Sequence, residues 1–347
     1  MCEFCTEHGE GKEWYLTMKN YGQELLSQDG RREQITAFVQ NFEVDAARSL
    51  SMLDAIQALP FVSGVVSRVA TARQKKSHFG QVVPIEDVDK VLGLVDNIVR
   101  LPCPCRSLTT GRKEGRYCYG LGIDPTGLIG QFPDYGESLE WLTADEARTA
   151  IHTLDIEGLV HSVWTFTTPF IGAICNCDQD CVAYRLQVGA GMMQVFFPAE
   201  VVAAVDWDRC SGCKLCRGQC PFGAIRYTAS HDKCAIDPAL CYGCGVCRAV
   251  CKKQAIRLEP RRRAFRWQRR AVTRGRYHVA VKPCRDPRDC RACIDVCPSR
   301  VFGLAPQSAR APGARPGDWS VRVLTPSRCT NCGACVAACP QGAIAVA

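Results

Sequence analysis

Apolar residues recur at helical spacing through the first part of the chain. Trp14, Leu16, Met18, Tyr21, Leu25 and Leu26 fall largely on one side of a helix, and Ile35, Phe38, Val39 and Phe42 repeat the arrangement. Asp45 is placed to cap a further helix whose Leu50, Leu53, Ile56 and Leu59 form a stripe ending at Pro60. Ile85, Val88, Val91, Leu92 and Val95 form another. Such stripes are core faces more often than binding faces, so residues 1–97 are expected as a helical region. From residue 98 the pattern mixes. Ile98–Leu101 reads as a short strand, Thr143 and Glu146 as a capping box for a helix through Ala147, Ile151 and Leu154 that stops near Gly158, and Leu159–Phe166 as a strand. Residues 98–200 are therefore expected as a mixed domain that also carries cysteines. Beyond residue 200, short apolar runs flank cysteine-rich loops: 202–206, 224–227, 234–237 and 255–258, then 277–281, 301–304, 321–324 and 343–346. The expected class is α+β.

The loops carry the chemistry. Cys210, Cys213, Cys216 and Cys220 stand at steps of three, three and four, followed by Pro221. Cys241, Cys244, Cys247 and Cys251 repeat the spacing with Lys252 in place of proline, and Cys329, Cys332, Cys335 and Cys339 repeat it with Pro340. Cys284, Cys290, Cys293 and Cys297, before Pro298, are a stretched copy with three extra residues between the first two cysteines. Soft thiolates suit iron–sulfur clusters. Three cysteines three apart on a tight loop aim three sulfurs at one 4Fe-4S cube, and the fourth reaches the other cluster of a pair. The expected sets are Cys210, Cys213, Cys216 with Cys251; Cys241, Cys244, Cys247 with Cys220; Cys284, Cys290, Cys293 with Cys339; and Cys329, Cys332, Cys335 with Cys297.

Residues 201–347 thus resemble two bacterial-type dicluster ferredoxin domains in tandem, the first over 201–260, the second over 277–347. Zinc ribbons and disulfides are the alternatives, and neither normally uses a fourfold run of this spacing. Cys284, in Pro-Cys-Arg-Asp-Pro, makes the third set the weakest. Cys234 falls in a strand and is not expected to be a ligand. Small residues such as Gly212, Gly243, Gly245, Gly333 and Ala334 sit where backbone must approach the cluster.

The other cysteines are harder to place. Cys103 and Cys105 in Pro-Cys-Pro-Cys-Arg, Cys118, and Cys175, Cys177 and Cys181 in Ile-Cys-Asn-Cys-Asp-Gln-Asp-Cys are six thiols that one domain can bring together. This region is similar to the N-terminal part of a loosely described group of bacterial and archaeal ferredoxin-like proteins that join a Cys-x-Cys-Arg motif and an Ile-Cys-Asn-Cys motif to a ferredoxin domain. The resemblance implies no settled activity. On chemistry alone the six read as a fifth iron–sulfur cluster, against buried structural thiols or a reactive cysteine with His161 as base. His161 is also a plain strand histidine. Cys2, Cys5 and His8 have ligand chemistry, for zinc for example, but no fourth partner nearby; a packed or disordered tail is the competing reading.

Composition alters one inference. Lys and Arg exceed Asp and Glu by 8, a sign that would suggest nucleic acid, and residues 261–276 interleave arginines with Phe265 and Trp267. Yet a cube of core charge about +2 on four thiolates carries about −2, so four of them cancel the excess. The arginine-rich stretch is then a linker that moderates cluster charge, a docking patch for an acidic redox partner, or simply solvated; a second linker runs from Pro306 to Pro316. No apolar run is long enough to span a membrane and the N-terminus lacks a signal-peptide pattern, so a cytoplasmic protein is expected. No glycine-rich dinucleotide or phosphate loop is present. Three functions follow: a polyferredoxin-like carrier or electron-transfer subunit of an anaerobic redox complex, working with redox protein partners; a reductase whose catalytic or entry cluster is held by the middle cysteines, with Arg106, His161 and Arg185 as candidate polar groups; or a metal or redox sensor built on the N-terminal cysteines.

Overall fold

The computed structural model describes residues 13–28, 30–57, 60–112, 114–122, 139–189, 193–229, 231–261, 279–297, 301–306, 319–324, 329 and 331–346. Cys2, Cys5, His8, nearly all of the arginine-rich linker and the second linker lie outside them. Contacts group the chain into two compact units, residues 1–201 with 242–250, and residues 202–241 with 251–347.

The first unit is built on a seven-stranded sheet. Its strands are β1 (Gly80–Val82), β2 (Ile98–Leu101), β3 (Cys118–Leu121), β4 (Glu140–Leu142), β5 (Val160–Thr165), β6 (Ile171–Cys177) and β7 (Phe196–Phe197), in the order β4-β2-β3-β6-β5-β1-β7. Neighbours are antiparallel except β1 and β7. Because side chains alternate along a strand, Ile174 and Asn176 share one face of β6, and Cys175 and Cys177 the other. The first face is the main core. There Tyr119, Val163 and Ile174 meet Val88, Val91 and Leu92 of helix α4 (Ile85–Leu92) and Ala147 and Ile151 of helix α6 (Ala144–Glu157), with Trp14 and Tyr15 in the same cluster. Each fully buried aliphatic side chain contributes about 2 kcal/mol. Helix α6 starts at the capping box the sequence predicts: Thr143 Oγ1 accepts from the Glu146 N–H and Glu146 Oε2 accepts from the Thr143 N–H. It ends at Gly158, whose φ of 91° only glycine adopts cheaply.

The N-terminal helices differ from the periodic reading. Trp14–Leu16 and Met18–Tyr21 are single 3-10 turns and α1 (Gln23–Leu26) is one α-turn, because Thr17 and Gly22 are extended between them. Asp45 caps nothing: α2 runs unbroken from Arg31 to Gln57, and Asp45 sits inside it, 3.6 Å from Arg48. An aspartate prefers a cap only where the chain breaks, and residues 31–57 hold neither glycine nor proline. Pro60 does not close a helix but opens the next, α3 (Pro60–Ser77), where its missing N–H costs nothing. The remaining helix of this sheet layer is α5 (Pro104–Thr110), followed at Val182–Tyr184 by a single α-turn, α7.

In the second unit all eight expected strands form within two residues of their expected described bounds. β8 (Val201–Val205) pairs with β11 (Ile256–Pro260) around the hairpin of β9 (Ile225–Thr228) and β10 (Lys233–Ile236). β12 (Val279–Val281) pairs with β15 (Ile344–Val346) around β13 (Phe302–Pro306) and β14 (Trp319–Val323). The two halves repeat one plan, with first and last strands enclosing an inner hairpin.

Candidate metal centres

The cysteine loops share a backbone device. In three runs the second cysteine is bracketed by residues of positive φ: Gly212 and Lys214 around Cys213, Gly243 and Gly245 around Cys244, Asn331 and Gly333 around Cys332. Alternating left-handed residues turn successive N–H groups inward, the arrangement that favours an anionic guest. In the stretched run the three extra residues form a helical turn, α9 (Pro287–Cys290), and the positive-φ residues are Asp286 and Arg291 at its two ends. Glycine is indispensable at Gly243, where a Cβ would lie 2.1 Å from the carbonyl oxygen of Val201, and at Gly212, 2.2 Å from that of Asp232.

The third cysteines lie in short helices, Cys216 in α8 (Leu215–Gln219), Cys293 in α10 (Ala292–Val296) and Cys335 in α11 (Ala334–Ala338). Cys220, Cys297 and Cys339 end those helices. All four fourth cysteines accept a backbone N–H from the residue four further on: Ala224 to Cys220 at 3.3 Å, Ala255 to Cys251 at 3.3 Å, Val301 to Cys297 at 3.4 Å, Ala343 to Cys339 at 3.1 Å. Cys241 accepts from Ala203 and Cys329 from Asn331, both at 3.4 Å. Sulfur earns such donors when it carries charge, so the donor set fits 4Fe-4S clusters.

One cavity is lined by Cys284, Cys290 and Cys293 together with Cys339, its wall completed by Val281, Ala292 and Ile344. Burial pushes the Cys293 thiol up to about 12, with Cys284, Cys339 and Cys290 adding to the effect. Burial likewise pushes Cys335 up to about 11, with contributions from Cys332, Cys297 and Cys329. In the first half Cys234, a buried β10 residue, has its thiol pushed up by burial and lies in the field of Cys210 and Cys213. Two basic side chains anchor first cysteines by their carbonyls: Lys233 Nζ donates to Cys210 O, and Arg261 Nη2 to Cys241 O at 2.8 Å. Neither carries a sequence motif: Lys233 opens β10 inside the β9–β10 hairpin, and Arg261 follows β11. The Tyr242–Val250 segment, with Cys244 and Cys247, is held within the first unit. Ala199 N–H donates to Tyr242 O at 2.9 Å, Gln187 Nε2 to Tyr242 Oη at 2.6 Å, and the Arg248 guanidinium to both oxygens of Glu86, holding that carboxyl below its usual range.

The six middle cysteines meet on the sheet face opposite the main core. Cys118 and Cys175 are directly opposed in register, their sulfurs 3.8 Å apart. Cys103, at the start of α5, interacts with the thiols of Cys105, Cys118 and Cys181, and Cys181 with that of Cys177. Those interactions hold Cys103 far below the ordinary thiol range and, with burial, push Cys105, Cys118 and Cys181 well above it. Beside them Arg106 is 4% exposed. His161 does not serve this group: it lies on the other face, Nδ1 2.6 Å from Asn176 Oδ1 and Nε2 3.2 Å from Asp155 Oδ1, a satisfied strand histidine. Arg185 turns to Asp180 and to the Gln179 carbonyl. Among the described residues no three His, Cys, Asp or Glu side chains converge at the spacing of a single metal ion, and no helix is long and apolar enough to cross a membrane.

Comparison with known proteins bears on the C-terminal part alone. Residues 284–343 match the 4Fe-4S dicluster domain family, and residues 203–226 match the 4Fe-4S binding domain family. The run from Cys241 to Cys251 and the whole seven-stranded unit lie outside the matched residues. No curated protein matches the chain. The C-terminal half therefore carries ferredoxin-type 4Fe-4S domains in tandem, behind an N-terminal domain that belongs to no matched family.

Proposed function

We propose that the protein transfers electrons through four 4Fe-4S clusters, held by the four crossed cysteine sets expected from the spacing. It acts as a polyferredoxin-like carrier or as the electron-transfer subunit of a larger anaerobic redox complex, between a donor and an acceptor that are themselves redox proteins. The observation that carries the reading is the grouping of Cys339 with Cys284, Cys290 and Cys293 around one cavity. The field of Cys297 at Cys335, beside Cys329 and Cys332, supports the reciprocal crossing. When bound, such clusters supply reversible one-electron transfer.

The chain's own residues do the rest. Four thiolates per cluster leave no iron position for a substrate, which favours transfer over catalysis in this half. The N–H groups of Ala224, Ala255, Val301 and Ala343 stabilise charge on the fourth thiolate of each run. Val279, Val296, Phe302 and Val321, buried around the second pair of loops, exclude water and lower the local dielectric. A reductase reading, with the middle cysteines as entry or catalytic centre, draws support from the meeting of those six thiols in one place.

Iron and acid-labile sulfide, measured per full chain prepared without oxygen, test the count. The reading predicts at least about sixteen of each, four per cluster. About twelve or fewer contradicts it, and the stretched Cys284 set would be the first to suspect.

A further inference from the structure

The geometry points to a fifth iron–sulfur centre within the first unit, held by the nest of Cys103, Cys105, Cys118, Cys175, Cys177 and Cys181, with Arg106 as its buried counter-cation. This goes beyond the four-cluster reading and does not depend on it, since none of these residues lies in the matched families.

Three observations carry it. Six thiols from three stretches of chain gather at one place: strand register puts Cys118, Cys175 and Cys177 on one face with the Cys118 and Cys175 sulfurs 3.8 Å apart, and Cys103, Cys105 and Cys181 lie in the electrostatic field of that group. Cores fill with aliphatic side chains, and nothing in packing requires six sulfurs at one point. Secondly, the Arg106 guanidinium is buried against them. It stacks 3.4 Å from the Tyr117 ring centre, pairs with Asp178 at 2.7 Å, and leaves Nη1 buried without a hydrogen-bond partner. An always-charged group is buried at large cost unless charge answers it, and one half-exposed carboxylate leaves part of that guanidinium unanswered. Neutral thiols would not answer it, whereas thiolates on an iron–sulfur core of net negative charge would. Thirdly, the nest is bounded by packed structure: Phe42 and Ala46 of α2 cluster with Leu108, Val182, Leu186 and Cys105. Thr109 Oγ1 ties α5 to the Asp180 carbonyl, fixing the Cys103 and Cys181 segments to each other.

A single zinc is the competing occupant. Six thiols exceed the four it takes.

The test compares the full chain with C103S/C177S, with Cys335→Ser as the reference for a ferredoxin site. The inference predicts about twenty irons per wild-type chain and a loss of about four in C103S/C177S. Loss of about four in Cys335→Ser as well would show that the two kinds of site fill independently. About sixteen irons in the wild type, unchanged in C103S/C177S, overturns the inference while leaving the four-cluster reading intact; so does about one zinc lost from C103S/C177S with the iron count unchanged. Should that variant fail to fold, Arg106→Gln decides. Removing the counter-cation shifts one midpoint potential downward and leaves the others in place; potentials that all stay fixed overturn the assignment.

Discussion

Individual residues show how the loops are specified. Gly243 and Gly333 share a left-handed backbone, φ 71° and 72°, yet a Cβ at Gly243 would meet the Val201 carbonyl oxygen at 2.1 Å whereas at Gly333 it would meet nothing within 4 Å. Gly333→Ala should therefore cost only the backbone term, about 1–2 kcal/mol. Gly243→Ala must displace backbone as well, and is expected to lower the thermal midpoint clearly further; equal midpoints would show that the loop relaxes freely. At this scale the sixteen cysteines of the four runs stand out because iron–sulfur ligation imposes a spacing in sequence. Lys233 and Arg261 carry no such spacing. Their roles come from where a strand start and a linker start happen to deliver a charge, and only the three-dimensional placement reveals that.

Among the elements, those with local signals were readable and those fixed by packing were not. Thr143 and Glu146 announced α6 because both capping hydrogen bonds are local. Thr143→Ala should destabilise the first unit by about 1 kcal/mol, seen as a lower denaturant midpoint with unchanged slope; an unchanged midpoint would mean that the cap is replaced by solvent. Strands β8 to β15 were readable because each short apolar run is bounded by a cysteine loop. The break expected at Asp45 was not there, since a polar residue without glycine or proline does not interrupt a helix. Strand β1 was missed because Gly-Gln-Val has no pattern of its own; it is made a strand by β5 on one side and β7 on the other. The six-cysteine nest lies between these cases. Its two motifs were visible, but their meeting depends on the β3–β6 register, a long-range pairing that no local signal encodes.

For the whole molecule, charge and redox function are linked. A chain with an excess of 8 basic residues approaches neutrality if four sites of about −2 are filled, as proposed. Its separate units also divide the questions. The ferredoxin-type domains support iron–sulfur electron transfer, and the first unit's nest adds a centre only if it holds iron. The measurement that bears most directly on the central claim is an anaerobic reductive titration of the full, iron-replete chain, followed by visible absorbance and by electron paramagnetic resonance. Each 4Fe-4S cluster takes one electron, so the account predicts at least about four reversible equivalents per chain, about five if the nest is filled. One or two equivalents in a chain that holds its full iron would contradict it, because most of the clusters would then be structural and the protein would not be an electron relay.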